Sequence, residues 1–310
     1  MIIHHGIEQL PTIKNAVVTS GTFDGVHLGH RQILKRLQQT AQQSDGESVV
    51  ITFWPHPRLV LYPDDGDHLQ LLNTFEEKAE LLAQTGIDHL ICIPFTKEFS
   101  QLSSEEFIQQ ILIDKIQTKK LVIGYDHKFG RNREGSFEYL KTNAAQYGFE
   151  VEEIPRQDID HVGVSSTLIR KTLSEGKVEI SNQYLTYPYA LTGQVIPGNK
   201  MGRTIGYPTA NISVSDAHKL IPENGVYAIN ALIKDVSYQG MLNIGYRPTV
   251  NGSSKTIEAN FFELDENLYG QIVTIQFIKR IREEVKFTDM NGLKSQLTKD
   301  KILAIDILND

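Results

Sequence analysis

The chain has 310 residues, 40% hydrophobic and 22% charged, and a net charge of −7 from 31 Lys+Arg against 38 Asp+Glu. The length favours two domains, each able to build its own core, and the acidic balance argues against bulk binding to nucleic acid or an anionic membrane. A single cysteine, Cys92 in the apolar run HLICI, excludes an internal disulfide and a zinc–thiolate cluster, and no apolar run approaches the roughly 18 residues of a membrane-spanning helix.

The start, MIIHHGIEQL, lacks the charged and apolar regions of a signal peptide, so the expected location is the cytoplasm. From residue 15 to 176 short β-rich runs (AVVTS, SVVITF, HLICI, KLVIG, FEVEEI) alternate with amphipathic helices. The run Val17 to Leu37 reads as a strand, a Gly-rich turn Ser20–Gly25, and a helix with apolar residues at Ile33, Leu34, Leu37 and Ala41. Capping-box spacing at Thr74 and Glu77, and again at Ser103 and Glu106, starts two further helices. Gly86 stops the first of these, and a short helix over Ser166 to Ser174 ends at Gly176. Such alternation predicts a parallel sheet covered on both faces, with ligands at the carboxyl ends of the strands.

Near residue 180 the pattern changes. The segment SNQYLTYPYALTG has no clear helical period. Beyond it, ALTGQVI, GVYAINALI, YQGMLNIG, TIEANFFEL and QIVTIQFIK predict a compact antiparallel barrel, and Gly292 to Leu308 returns to helical spacing. The expected division is 1–182 for a Rossmann-like doubly wound α/β domain and 183–310 for a β-barrel domain with a C-terminal helix.

Two stretches of the first half carry chemistry. In GTFDGVHLGH, the turn residues Gly21, Phe23 and Asp24 lead into a helix start bearing His27, Gly29 and His30. Free N–H groups and the positive dipole end favour an anion there, the glycines admit a phosphate, and the imidazoles can donate to charge that builds during nucleotidyl transfer. A metal site is the rival reading, but two histidines without third and fourth ligands do not make the H-E-x-x-H zinc helix. VSSTLIR opens the last helix of this half. Ser166 and Thr167 can cap it, and Arg170, one turn in, can reach a phosphate bound at its start.

In the second half the loop Gly198–Asn211 spaces Gly202 and Gly206 around Arg203 and closes on Thr209-x-Asn211. Backbone N–H groups and cations suit phosphate. The neutral oxygens of Thr209 and Asn211, on alternate residues of an extended segment, suit a nucleotide-bound Mg²⁺. The loop matches neither the P-loop nor the Rossmann glycine pattern.

GTFDGVHLGH and VSSTLIR resemble the two signatures of the HxGH nucleotidyltransferase superfamily. With FWPHPR (Phe53 to Arg58) and IGYDHKFGRNREG (Ile123 to Gly135), they look like the FMN adenylyltransferase module of bacterial bifunctional riboflavin kinase/FAD synthetases. The resemblance implies that His27 and His30 bind the ATP phosphates and stabilise the transition state. It implies that Ser166, Thr167 and Arg170 hold the departing pyrophosphate, and that Pro55, His56, Pro57 and Asp126 line the flavin side. Asp126 stands where the family commonly has Asn. The Gly202–Asn211 loop resembles the GRxxGxPTAN signature of riboflavin kinases, followed in order by PENGVYA, NIGYRPTV and IEANFFELDENLYG. That match makes Glu258 the catalytic base, Thr209 and Asn211 the Mg²⁺ ligands, and Arg282 and Phe287 a flap over the flavin. Ala259-Asn260 replaces the family's commoner pair after the base.

The resemblance therefore implies two ATP- and Mg²⁺-dependent steps: riboflavin to FMN, then FMN to FAD and pyrophosphate. Small-molecule substrates are expected, with no nucleic acid or membrane partner, and self-association into a homo-oligomer is left open. Two alternatives stand beside this: a nucleotidyltransferase acting on another phosphate ester, and a flavin or nucleotide sensor that has lost catalysis.

Overall fold

The computed structural model describes residues 1–63, 69–125, 127–155, 163–198, 201–249 and 252–309. The chain divides into two compact units, Met1–Ser166 and Thr167–Asp310.

The first unit contains strands β1 (Ile2–His5), β2 (Val17–Ser20), β3 (Ser48–Trp54), β4 (His89–Pro94), β5 (Lys120–Gly124) and β6 (Glu150–Ile154). They form one sheet in the order β1-β4-β3-β2-β5-β6, and every pair is parallel. Successive strand residues point to opposite faces. Val50, Leu90 and Val122 accordingly pack with Leu34, Leu37 and Leu82, whereas Ile51, Ile91 and Ile123 pack with Phe107, Ile111 and Leu140. The helices that cover the sheet include α1 (Leu28–Gln43), α3 (Phe75–Ala83), α4 (Ser104–Phe107) and α5 (Phe137–Tyr147), while the short α2 (Pro57–Leu61) buries no residue. Both capping boxes form: Thr74 with Glu77, and Ser103 with Glu106. Because β3 lies on one side of β2 and β5 on the other, the strand order reverses beside β2, and the reversal opens a crevice at the carboxyl ends of β2 and β5.

The second unit opens with α6 (Ser166–Ser174), whose first residue closes the other unit, and α7 (Val178–Leu185). Six strands follow: β7 (Ala190–Ile196), β8 (Ala210–Ser213), β9 (Gly225–Ile233), β10 (Val236–Thr249), β11 (Gly252–Phe261) and β12 (Ile272–Arg282). They close a barrel in the order β10-β11-β8-β7-β12-β9 with antiparallel pairing throughout. Tyr189, Tyr227 and Phe277 fill its core. A one-turn helix, α8 (Met201–Thr204), lies in the Gly-rich loop, and the long α9 (Met290–Asn309) packs on the barrel with Ala304, Leu297 and Leu308 against Ala228 and Met241.

The α/β half with a parallel sheet and the closed antiparallel barrel with its terminal helix agree with the sequence reading. Among the elements that differ, three have a clear cause. β1 escaped notice because its four residues form a largely exposed edge strand with no buried run. β8 is only four residues long and is masked by the Thr-Ala-Asn motif that contains it. The segment read as lacking a helical period begins inside α7, whose buried face is Val178, Ser181 and Leu185. A serine occupies the core position there because its hydroxyl bonds Thr172 Oγ1 at 2.7 Å, so the face is not apolar in sequence.

Candidate active sites

The GTFDGVHLGH segment leaves β2 at the strand-order reversal. Ser20 Oγ lies 3.2 Å from His127 Nε2, which follows β5, so a hydrogen bond joins the carboxyl end of β2 to the segment after β5. The turn is held in an unusual backbone shape, with Phe23, Gly25 and Val26 at φ +49°, +89° and +35°. Positive φ at a phenylalanine and a β-branched valine costs energy and persists only where neighbours enforce it. The neighbours are identifiable. The Asp24 carboxylate accepts from the Leu72 and Asn73 amides at 3.0 and 3.3 Å, and Asn73 Oδ1 accepts from Gly25 N at 2.9 Å. Asp24 is buried, so it shapes the turn through these bonds, a role not included in its sequence assignment to the phosphate site.

α1 begins where this turn ends. His27 is its N-cap, and its Nδ1 accepts weakly from His30 N at 3.4 Å. A ring that accepts at Nδ1 carries its proton at Nε2 when neutral, so Nε2 is the donor. The two imidazoles stack, with centroids 3.7 Å apart and planes 17° from parallel. Burial, then the neighbouring His27 and Lys78, hold His30 well below the ordinary histidine range, so it is neutral at pH 7. Its Nδ1 is enclosed without a hydrogen-bond partner among the described residues. A helix start bearing two stacked imidazoles, with His30 neutral, suits an anion that approaches and supplies acceptors.

Ser166 joins this constellation, donating its hydroxyl to the Asp24 carbonyl at 2.8 Å. Thr167 is exposed and Arg170 half-buried one turn further along α6. At the end of β3, Pro55 follows a cis peptide and is exposed. His56 caps α2 by accepting from Arg58 N at 3.2 Å, with Pro57 at the first helical position. Asp126 and the side chain of Arg203 lie outside the described residues.

One residue the sequence reading missed is Lys78. It is only 3% exposed and donates to the Thr22 carbonyl at 3.2 Å and the Thr52 hydroxyl at 3.1 Å. Its position directly after the capping-box Glu77 on α3 gave it the look of an ordinary helix-surface lysine.

In the barrel unit a cavity of about 230 Å³ is lined by Gly202, Thr209, Asn243, Glu258, Arg282 and Phe287, among others. Glu258 stands in register with Asn211 of β8 on one side and Asn243 of β10 on the other. Asn260, two residues on, donates its amide to the Pro208 carbonyl at 2.7 Å and so anchors the residue before Thr209. Gly202 is needed where it is: a Cβ there would sit 2.2 Å from the Tyr207 carbonyl and 3.4 Å from Thr209 Oγ1. Asn211 is similarly backed by Gly198, where a Cβ would meet its amide nitrogen at 2.1 Å. The loop thus folds its backbone onto Thr209 and Asn211, two neutral oxygen donors beside a carboxylate, which is a fit for Mg²⁺ carried in on a nucleotide.

Arg282 lines this cavity but is also committed elsewhere. Its guanidinium grips Asp300 of α9, with Nε 3.0 Å from Oδ1 and Nη2 2.7 Å from Oδ2. Its Cζ lies 5.8 Å from the Phe287 ring centre. The predicted flap residues therefore form one assembly with α9. Glu284, absent from the sequence reading, also lines the cavity, and its carboxylate covers Gly245, where a Cβ would meet Oε1 at 2.0 Å.

Comparison with known proteins matches both halves of the chain. A family model described as FAD synthetase matches residues 10–168, and one described as riboflavin kinase matches 185–308. The bifunctional riboflavin kinase/FMN adenylyltransferase of Escherichia coli (strain K12) is 34% identical over 97% of this chain and 95% of its own length. That of Listeria monocytogenes is 38% identical over 96% and 95%. A solved structure described as a macrolide-efflux protein from Streptococcus pneumoniae superposes with a TM-score of 0.88 at 30% identity, covering 98% of this chain and 99% of that one. With both halves matched in order and the relatives aligned nearly end to end, the chain belongs to the bifunctional riboflavin kinase/FMN adenylyltransferase family and makes FAD from riboflavin through FMN.

Proposed function

We propose that the barrel cavity is the riboflavin kinase site and that the crevice beside β2 is the adenylyl-transfer site, with a functional division near residue 182. The observation that carries the assignment is the placement of Glu258 in the cavity wall, which Thr209 also lines, in register with Asn211. In the kinase step Glu258 takes the proton of the ribityl primary hydroxyl as that oxygen attacks the ATP γ-phosphorus, and ADP leaves. Thr209 and Asn211 would hold Mg²⁺, which supplies neutralisation of phosphate charge when bound. Arg282 and Phe287 cover the flavin, held in place by Asp300.

In the second step the FMN phosphate, already ionised at neutral pH, attacks the ATP α-phosphorus and pyrophosphate leaves. No base is required. His27 and His30 donate to the phosphate oxygens from the start of α1, and Ser166, Thr167 and Arg170 hold the β- and γ-phosphates. Pro55, His56 and Pro57 border the flavin. Both family models and the curated relatives describe flavin-directed transferases rather than efflux. No helix among the described residues is long and apolar enough to cross a membrane.

The test is incubation of the pure protein with riboflavin, ATP and Mg²⁺, with products separated by chromatography. FMN appears first and FAD follows. Chelation of the divalent cation lowers both rates by about a hundredfold or more. Equal rates with and without chelator would contradict the metal assignment.

A further inference from the structure

Lys78 is a buried charge that neither reaction step uses. Lysine is almost never fully buried unless its charge is paired, and removing an ammonium from water is costly. Both hydrogen bonds of Lys78 nevertheless go to neutral oxygens: the Thr22 carbonyl and the Thr52 hydroxyl. The Trp54 and Phe75 rings flank it, with centroids 5.2 and 6.0 Å from Nζ. A neutral side chain could bridge those two oxygens more cheaply, so the location calls for a use of the charge. Thr22 supplies that use. It lies in the Gly21–Gly25 turn, between β2 and the helix start that bears His27 and His30, while Thr52 belongs to β3 and Lys78 to α3.

We propose that Lys78 is a positioning residue for adenylyl transfer: it ties the Gly21–Gly25 turn to β3 and α3, and sets a fixed positive charge beneath the turn that receives the ATP phosphates. This inference rests on the reading of that turn as the ATP site. The titratable groups facing Lys78 come from three elements: Asp24 of the turn, Cys92 of β4 and His30 of α1. Burial brings the Lys78 ammonium down to about 8, opposed by the Asp24 carboxylate and the Cys92 thiol. While protonated, Lys78 also helps keep His30 neutral, as a hydrogen-bond donor to a phosphate that takes no proton from its nucleophile. Deprotonation of Lys78 in the unliganded enzyme removes the charge from beneath the turn. The value of kcat/KM for ATP in adenylyl transfer, which reports free-enzyme groups, then falls as pH rises through about 8.

The experiment uses the full chain, with FMN-to-FAD conversion as the readout and riboflavin kinase activity in the same preparation as the control for folding. Lys78→Met should lower adenylyl-transfer kcat/KM for ATP about tenfold or more, abolish the alkaline limb, and leave kinase activity within about twofold. Thr52→Val removes one acceptor of the charged form, so it should move the limb to lower pH while keeping the lysine. Should Lys78→Met not fold, the wild type and Thr52→Val decide the matter: a limb near 8 that shifts down supports the inference, and no limb, or one that does not shift, overturns it. Adenylyl transfer by folded Lys78→Met within about twofold of wild type, while His30→Ala abolishes it, overturns the inference and leaves the site reading intact. Full adenylyl transfer by His30→Ala overturns both.

Discussion

Arg282 donates to Asp300 from Nε, 3.0 Å from Oδ1 and 3.1 Å from Oδ2, and from Nη2, 2.7 Å from Oδ2, and so fastens the end of β12 to the C-terminal helix. Asp300 is 1% exposed, and Gln296 donates to the same carboxylate at 2.8 Å. The pair explains why a helix at the far end of the sequence bears on a cavity built by strands: α9 fixes the arginine that lines it.

Removing one partner of such a pair strands the other. Asp300→Ala should destabilise the barrel unit by about 3–5 kcal/mol, and the released guanidinium should raise KM for riboflavin. Denaturant melts with kinase assays at a temperature where the variant remains folded check both. A variant with unchanged melting and unchanged KM would show that the bond does not support the site.

Ser166 is tied to the HxGH turn through the Asp24 carbonyl. Ser166→Ala should cost about 0.5–1.5 kcal/mol for the lost bond and lower FMN-to-FAD conversion, with riboflavin phosphorylation unchanged. Steady-state rates of the two half-reactions, measured separately, test this.

The pH dependence of the first unit follows from His30. Burial, then His27 and Lys78, lower its folded value well below 6.5. The unfolded chain therefore binds the proton first as pH falls. The stabilisation is complete above about 6.5 and is lost as pH drops from there toward the folded value, with a slope of at most about 1.4 kcal/mol per pH unit for one proton. Thermal melts between about pH 7 and 5 should show it, and His30→Gln should flatten the slope. A wild-type midpoint that rises as pH falls would contradict the assignment.

The sequence displayed the site more fully than its supports. GTFDGVHLGH, VSSTLIR and the Gly202–Asn211 loop are contiguous, so strand, turn and helix signals could be read together, and Thr74–Glu77 and Ser103–Glu106 cap as their spacing implies. What escaped was long-range. Lys78 contacts residues at positions 22 and 52, and nothing local distinguishes it from a solvated helix lysine. Asp24 looks like a phosphate-site residue, yet it reaches the amides of Leu72 and Asn73. Asn260 looks like a departure from the kinase pattern, and its purpose, the Pro208 carbonyl, lies in another strand's loop. Each is a bond between distant segments, which no periodicity encodes.

The separation of the two chemistries is tested most directly by a reciprocal pair of variants, Glu258→Gln and His30→Ala, each assayed with riboflavin and with FMN as starting flavin. Glu258→Gln should form no FMN from riboflavin yet convert supplied FMN to FAD at close to the wild-type rate. His30→Ala should accumulate FMN and make little FAD. Folded Glu258→Gln protein that phosphorylates riboflavin normally, or that loses both activities together, would contradict the account.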